Sequence, residues 1–318
     1  MNPAKSTPSS VLFTPALPAS ALDAGSRVLY TTPSGYTNCY AVPSFLIIGA
    51  QKCGTRELHT WLDAHPRLRG APLECHFFND VNDLDQEWPR YCLTPGFLLS
   101  RGRHGDPTVD LMTFEKTPAY LDQFNGGVPI PELVSRLMPN GRFVAILRDP
   151  VERAYSSYRM GLCPQWSEGA LYDEQQTDFE RLCSEHLERM ESDLTERLIR
   201  IGHYADHLGR WIRTFSRDQI FVVLQETFIA EPEVTMARLL DFLGVDPFDY
   251  SPLIRRTQRG LPVLVDLPSK GRRAAHPPMP AGARHTLQAH YKPHVQGLKV
   301  LFPQLQAQID RHWPWAQS

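Results

Sequence analysis

Apolar positions along the chain switch between two periods, and the switching predicts strands alternating with helices. Phe45-Leu-Ile-Ile48 is a continuous apolar run, the pattern of a strand buried on both faces. A turn over 49–54 follows. Residues 55–64 then carry Leu58, Trp61 and Leu62 at i, i+3 and i+4, which predicts a helix. Residues 111–115 predict a second strand, and Phe143 to Leu147 a third, again continuous and apolar. Pro150 suits the start of a helix running from Val151 to about Met160. Helical spacing recurs over 178–200 (Phe179, Leu182, Leu187, Met190, Leu194, Leu198) and over 203–215 (Tyr204, Leu208, Trp211, Ile212, Phe215). Residues 219–224 predict a fourth strand, and Pro232 opens a helix ending near Gly244. This alternation predicts an α/β fold with a central, mostly parallel sheet flanked by helices. Residues 1–43 are rich in Pro, Ser, Thr and Ala without periodicity and are expected to form a flexible or surface-wrapping arm. Residues 44–318 are expected to form a single domain, because no long linker interrupts the pattern between Phe45 and Trp315.

Composition narrows the function. With 318 residues, 42% hydrophobic and 21% charged, the chain is an ordinary globular sequence. A formal net charge of −2 argues against a duplex nucleic-acid binder held by bulk charge. No run approaches the roughly 20 apolar residues of a membrane span. The first twenty residues lack the basic-then-apolar order of a signal peptide. The six cysteines, Cys39, Cys53, Cys75, Cys92, Cys163 and Cys183, form no Cys-x-x-Cys pair and are expected as reduced thiols. A soluble, cytoplasmic protein with no nucleic-acid or membrane partner is the expectation; the oligomeric state is left open.

Five constellations carry candidate chemistry. Gly49-Ala-Gln-Lys52-Cys53-Gly54-Thr55-Arg56 joins a strand to a helix, where backbone N–H groups and the helix dipole favour an anion. Lys52 and Thr55 add a cation and a hydroxyl. It is no Walker A loop, because the lysine precedes the last glycine. A tight turn with a solvated lysine is the plain alternative. Arg148-Asp-Pro-Val-Glu-Arg153-Ala-Tyr-Ser156 places an arginine fork just past a buried strand and a hydroxyl on the following helix, a set suited to a second phosphate. The alternative is a charged helix start. Glu74-Cys-His76-Phe-Phe78-Asn79 offers an acid and an imidazole, which alternation would put on one face of an extended segment; taken alone, the motif reads more simply as a surface loop over a buried Phe pair. Glu115-Lys116-Thr-Pro118 brings a lysine to a strand end. Ser269-Lys270-Gly271-Arg272-Arg273, with Arg255, Arg256 and Arg259 upstream, is locally basic: a solvated face or a lid over an anionic nucleotide.

Taken together, these motifs resemble the sulfotransferases that use 3′-phosphoadenosine 5′-phosphosulfate (PAPS), and among them the heparan sulfate glucosaminyl (N- and 3-O-) branch. The resemblance runs from about Phe45 to Phe302. Phe45 to Arg56 is similar to the family's 5′-phosphosulfate loop, and Val144 to Ser156 to its 3′-phosphate motif. Glu74-Cys-His-Phe-Phe, Glu115-Lys-Thr-Pro-Ala-Tyr, Gly202-His-Tyr-Ala-Asp-His-Leu-Gly-Arg-Trp, Lys270-Gly-Arg and Tyr291-Lys-Pro-His-Val-Gln-Gly-Leu also resemble that branch. There are departures. Cys53 stands where the branch commonly has Gly or Thr, and Asn79 replaces an Asp of some members. No cysteine pair lies in 255–268, and no N-terminal anchor is seen.

The resemblance implies a P-loop-like fold and a sulfuryl transfer from PAPS, without a metal, to a hydroxyl or amine of a sugar or small natural product, releasing adenosine 3′,5′-bisphosphate. It implies donor binding by Lys52, Cys53, Gly54, Thr55, Arg56, Arg148, Ser156, Lys270, Gly271 and Arg272. It implies catalysis by Lys52, Lys116 and Glu74, with His76 as helper or rival base. A nucleotide kinase and a non-catalytic glycan-binding protein on the same scaffold are the alternatives.

Overall fold

A computed structural model describes residues 10–12, 24–102, 110–161, 178–189, 198–256, 262–264 and 277–317. In chain order the strands are β1 (Ser10–Leu12), β2 (Arg27–Thr31), β3 (Thr37–Ala41), β4 (Phe45–Gly49), β5 (Leu68–Gly70), β6 (Leu98–Gly102), β7 (Met112–Lys116), β8 (Phe124–Asn125), β9 (Val128–Pro129), β10 (Arg142–Leu147), β11 (Ile220–Leu224), β12 (Ile254–Arg256) and β13 (Pro262–Leu264). The central sheet has the order β11-β10-β4-β7-β5, and every pairing in it is parallel.

The continuous apolar runs follow from burial on both faces. On β4, Leu46 and Ile48 enter one core cluster while Phe45 and Ile47 enter the other. On β10, Phe143, Ala145 and Leu147 take the first face and Val144 and Ile146 the second. Helix α1 (Thr55–Asp63) covers the second face with Leu58, Trp61 and Leu62, and the Trp61 ring packs 5.3 Å from Phe228. Each such side chain contributes roughly 1.5–3 kcal/mol by leaving water. The first face is covered by α5 (Pro150–Gly161) and by the helices Tyr204–Thr214 and Ala281–Leu301. Between them lie α2 (Phe77–Asp80), α3 (Leu84–Cys92) and α4 (Ile130–Leu137).

Two regions differ from expectation. Part of the arm is structured: β2 and β3 pair antiparallel around a turn at 32–36, and β3 pairs with β6 in a second, four-stranded sheet. The burial alternates, with Val28 and Tyr40 toward the main core and Leu29, Cys39 and Ala41 toward a smaller cluster, but each strand has only five residues, several of them polar, so the pattern is weak. The helix Ala281–Leu301 carries Ala283, Leu287, Tyr291, Val295 and Leu298 on its buried side. Pro293 inside it reads as a helix breaker, since it removes one backbone bond, yet the packed stripe holds it. The helix expected over 178–200 is seen at Phe179–Arg189; 190–197 lie outside the described residues. Among the described residues no helix is long and apolar enough to cross a membrane.

Candidate active site

Parallel strands deliver their following loops to one edge of the sheet. Here β10, β4 and β7 are neighbours, so Arg148, the 49–54 loop and Lys116 arrive side by side. Strands lie about 4.8 Å apart, so Arg148 and Lys116 straddle the loop with backbones roughly 10 Å from each other.

The loop turns tightly. Lys52 (φ 70) and Gly54 (φ 90) both take left-handed backbone. A Cβ on Gly54 would lie 2.6 Å from Gln225 Nε2, the movable end of a flexible side chain, so it is the positive φ that calls for glycine. Gly54 caps α1 without a side-chain hydrogen bond. The first N–H groups of a helix have no intrahelical partner, and with the dipole they suit an anion. Thr55 is buried at that start, and Arg56 is exposed on the first turn. Lys52 reaches α5, with Nζ 3.5 Å from Met160 Sδ. Cys53 turns the other way. Its N–H donates to Ala50 O, its Sγ lies 3.5 Å from Tyr204 Oη, and burial pushes the thiol up to about 11. It builds the wall of the loop.

On the β7 side, Lys116 Nζ donates to Glu74 Oε1, and Glu74 Oε2 lies 3.4 Å from His76 Nε2. The extended segment expected for Glu74 and His76 is not what forms. His76 has left-handed backbone (φ 53) and starts α2, and that turn brings its ring to Glu74. Lys116 is nearly buried, while Glu74 and His76 are about 40% exposed (39% and 42%).

Beneath them is a polar network that sequence reasoning missed. Glu115 is fully buried and accepts from Tyr91 Oη (2.6 Å), Tyr120 Oη (2.9 Å) and Thr117 Oγ1 (3.0 Å). Thr117 Oγ1 in turn accepts from the N–H groups of Cys75 and His76 at 3.2 and 3.3 Å. Three hydroxyls on one buried carboxylate thus fix the turn that carries Glu74 and His76. Tyr120 sits in the resembling motif, but no spacing links Tyr91 to it. Glu115→Ala is expected to strip the three hydroxyls of their acceptor, each worth about 1–3 kcal/mol, and to lower Tm strongly. Thermal unfolding checks this; an unchanged Tm would remove Glu115 from the scaffold.

On the β10 side, Arg148 Nη2 lies 3.6 Å from Glu152 Oε2, and Arg284 Nη2 lies 2.8 Å from Glu152 Oε1. Two guanidinium groups on one carboxylate leave this corner cationic. Arg284 was not foreseen, because it belongs to the helix that Pro293 disguised. Tyr204 Oη holds the Arg148 carbonyl at 2.8 Å. Asp149 Oδ1 accepts from Val151 N at 2.8 Å and caps α5, while Oδ2 accepts from Trp315 Nε1 at 2.8 Å. Burial pushes the Asp149 carboxyl up to about 6. Ser156 is half-buried on α5, two turns beyond Arg148. Lys270, Gly271 and Arg272 lie outside the described residues.

The sulfotransferase domain family matches residues 43–256. Heparan sulfate glucosamine 3-O-sulfotransferase 6 of Mus musculus is 30% identical over 263 residues, covering 79% of this chain and 69% of that protein. The bifunctional heparan sulfate N-deacetylase/N-sulfotransferase of Drosophila melanogaster is 31% identical over 69% of this chain and 21% of its own length. A crystal structure of a sulfotransferase from Alicyclobacillus acidocaldarius superposes with a TM-score of 0.58 at 22% identity, over 82% of this chain and 96% of that one. The chain belongs to the PAPS-dependent sulfotransferase family, with relatives in the heparan sulfate branch, and its fold is the α/β fold of that family. It is a sulfotransferase, an enzyme of sulfuryl transfer to an acceptor.

Proposed function

We propose that this chain transfers the sulfuryl group of PAPS to a hydroxyl or amine of a sugar or small natural product by in-line displacement, and releases adenosine 3′,5′-bisphosphate. The observation that carries the reading is the set of cations around the α1 start, with Lys116 at one corner, Arg148 and Arg284 at the other, and Lys52 on the loop between them. A donor with anionic groups at both ends fits two such corners. The 5′-phosphosulfate lies on the N–H groups of Gly54, Thr55 and Arg56, where Lys52 meets the bridging oxygen and Lys116 the sulfonate. Arg148 and Ser156 take the 3′-phosphate, with Lys270, Gly271 and Arg272 closing over it. Glu74 takes the acceptor proton, with His76 beside it. A sulfonate carries less charge than a γ-phosphoryl group, so fixed cations suffice at the reacting centre. The sugar acceptor is suggested by the heparan sulfate named for the relatives. Residues 44–318 act as one domain in this reading.

The test is calorimetric binding of adenosine 3′,5′-bisphosphate and adenosine 5′-monophosphate. Charge-assisted hydrogen bonds to the 3′-phosphate are worth about 1.5–3 kcal/mol each, so the wild type is expected to prefer the bisphosphate by at least about tenfold. Arg148→Ala should erase most of that preference by weakening the bisphosphate alone. Equal affinities in the wild type would sink the donor assignment. A single-turnover assay with labelled PAPS then separates an enzyme from a binding protein on this scaffold.

A further inference from the structure

Three histidines outside the transfer site converge on one point. His290 and His294 are four residues apart on the helix Ala281–Leu301, so they project from the same face on successive turns. His203 precedes the helix Tyr204–Thr214, which packs against the first. Ring nitrogens of the three lie within 4.8 Å of one another. His203 Nε2 and His290 Nε2 face each other at 2.8 Å, and the His203 and His294 rings stack with centroids 3.8 Å apart. Asp206 backs the cluster, with Oδ2 3.4 Å from His294 Nδ1. All three imidazoles are half-buried, so solvent reaches them.

We propose that His203, His290 and His294 bind a divalent transition metal of the zinc class, with Asp206 orienting His294. Zinc holds imidazole nitrogens at about 2.0–2.1 Å in tetrahedral array, which sets them roughly 3.3 Å apart. The separations here bracket that value, and binding turns the stacked His203 and His294 rings out of their parallel arrangement so that their lone pairs converge. A pair of histidines at i, i+4 on one helix is a pre-formed chelate, and a third from a neighbouring helix closes the face of a three-nitrogen site with one open position. An all-imidazole set favours zinc, copper or nickel over magnesium or calcium. The carboxylate beside His294 is the usual outer partner of a metal-bound ring. None of these side chains belongs to the donor or acceptor groups, and the metal takes no part in transfer. Its effect is to staple the two helices. The next residues along each chain are Tyr204, whose hydroxyl holds the Arg148 carbonyl, and Tyr291, whose hydroxyl donates to Ile199 O at 2.8 Å.

The experiment uses the untagged full chain stripped with a chelator. Zinc chloride is titrated by calorimetry, and cobalt(II) chloride by visible absorption. One zinc per chain is expected, together with cobalt d–d bands and no thiolate-to-cobalt charge-transfer band. Zinc should raise Tm in the wild type. A His290→Ala/His294→Ala variant should lose the zinc uptake and the Tm rise. Asp206→Asn should bind about 10–100-fold more weakly. If the double variant shows no cooperative unfolding, His203→Gln serves in its place and must lose the same signals. No saturable zinc uptake by the wild type overturns the proposal. So does a thiolate band, which would place the metal on cysteine, or unchanged zinc affinity in the histidine variants.

Discussion

Lys52→Ala is expected to lower turnover at saturating PAPS by about 10²–10³-fold, or roughly 2.7–4 kcal/mol of barrier. As sulfuryl moves to the acceptor, negative charge grows on the bridging oxygen of the leaving phosphate. A cation that meets charge present only in the transition state changes turnover more than donor affinity. Lys52 occupies the left-handed corner of the loop, and its ammonium reaches back to α5 beside Met160. Alanine keeps Gly54 and the α1 N–H groups, so binding of adenosine 3′,5′-bisphosphate should persist. Steady-state turnover and calorimetry measured together check both halves. A variant with nearly unchanged turnover would take Lys52 out of the mechanism.

The parts of this enzyme legible in sequence are those fixed by local chemistry. The run Phe45–Gly49 announces a doubly covered strand because each of its residues is apolar and buried. The glycine at 54 announces a tight turn because the backbone there is left-handed. Arg148 and Asp-Pro at 149–150 announce a strand end and a helix start, and Asp149 does cap α5. What stayed hidden depends on pairings far apart in the chain. Tyr91 meets Glu115, Arg284 meets Glu152 and Trp315 meets Asp149, and nothing in any local window records these contacts. Sequence alone also misjudges two kinds of segment. The hairpin of β2 and β3 has two five-residue strands that mix polar and apolar positions and pack on two different clusters, so it looks like irregular chain. The Ala281–Leu301 helix contains a proline, and its apolar stripe is legible only once the sheet face it covers is known.

The same division explains the transfer site. Its cations come from strand ends, where motif and geometry coincide. Its candidate base comes from a turn whose shape is dictated from below, by hydroxyls converging on a carboxylate that never sees the acceptor. Alternation along 74–76 predicts that Glu74 and His76 share one face of an extended segment. The backbone at His76 folds back instead of extending, and the contact with Glu74 is a product of the turn.

That turn sets the second large effect. Glu74→Gln is expected to keep donor binding and lose transfer to an alcohol by about 10²–10⁴-fold, the usual contribution of a general base. Glutamine preserves size and still accepts from Lys116, but it cannot take a proton. Lys116 is nearly buried beside it, so a displaced lysine is the competing cause of any loss. Two comparisons separate these. An acceptor amine that is already neutral needs less help from a base, so the loss should shrink with such a substrate if Glu74 is the base and stay constant if Lys116 has moved. Calorimetric binding of adenosine 3′,5′-bisphosphate should also stay unchanged in Glu74→Gln if Lys116 has kept its place. His76→Ala removes the ring 3.4 Å away and leaves the carboxylate on Lys116; it is expected to cost much less. An active Glu74→Gln beside an inactive His76→Ala would exchange the two roles, with the imidazole as base and the carboxylate holding it in place.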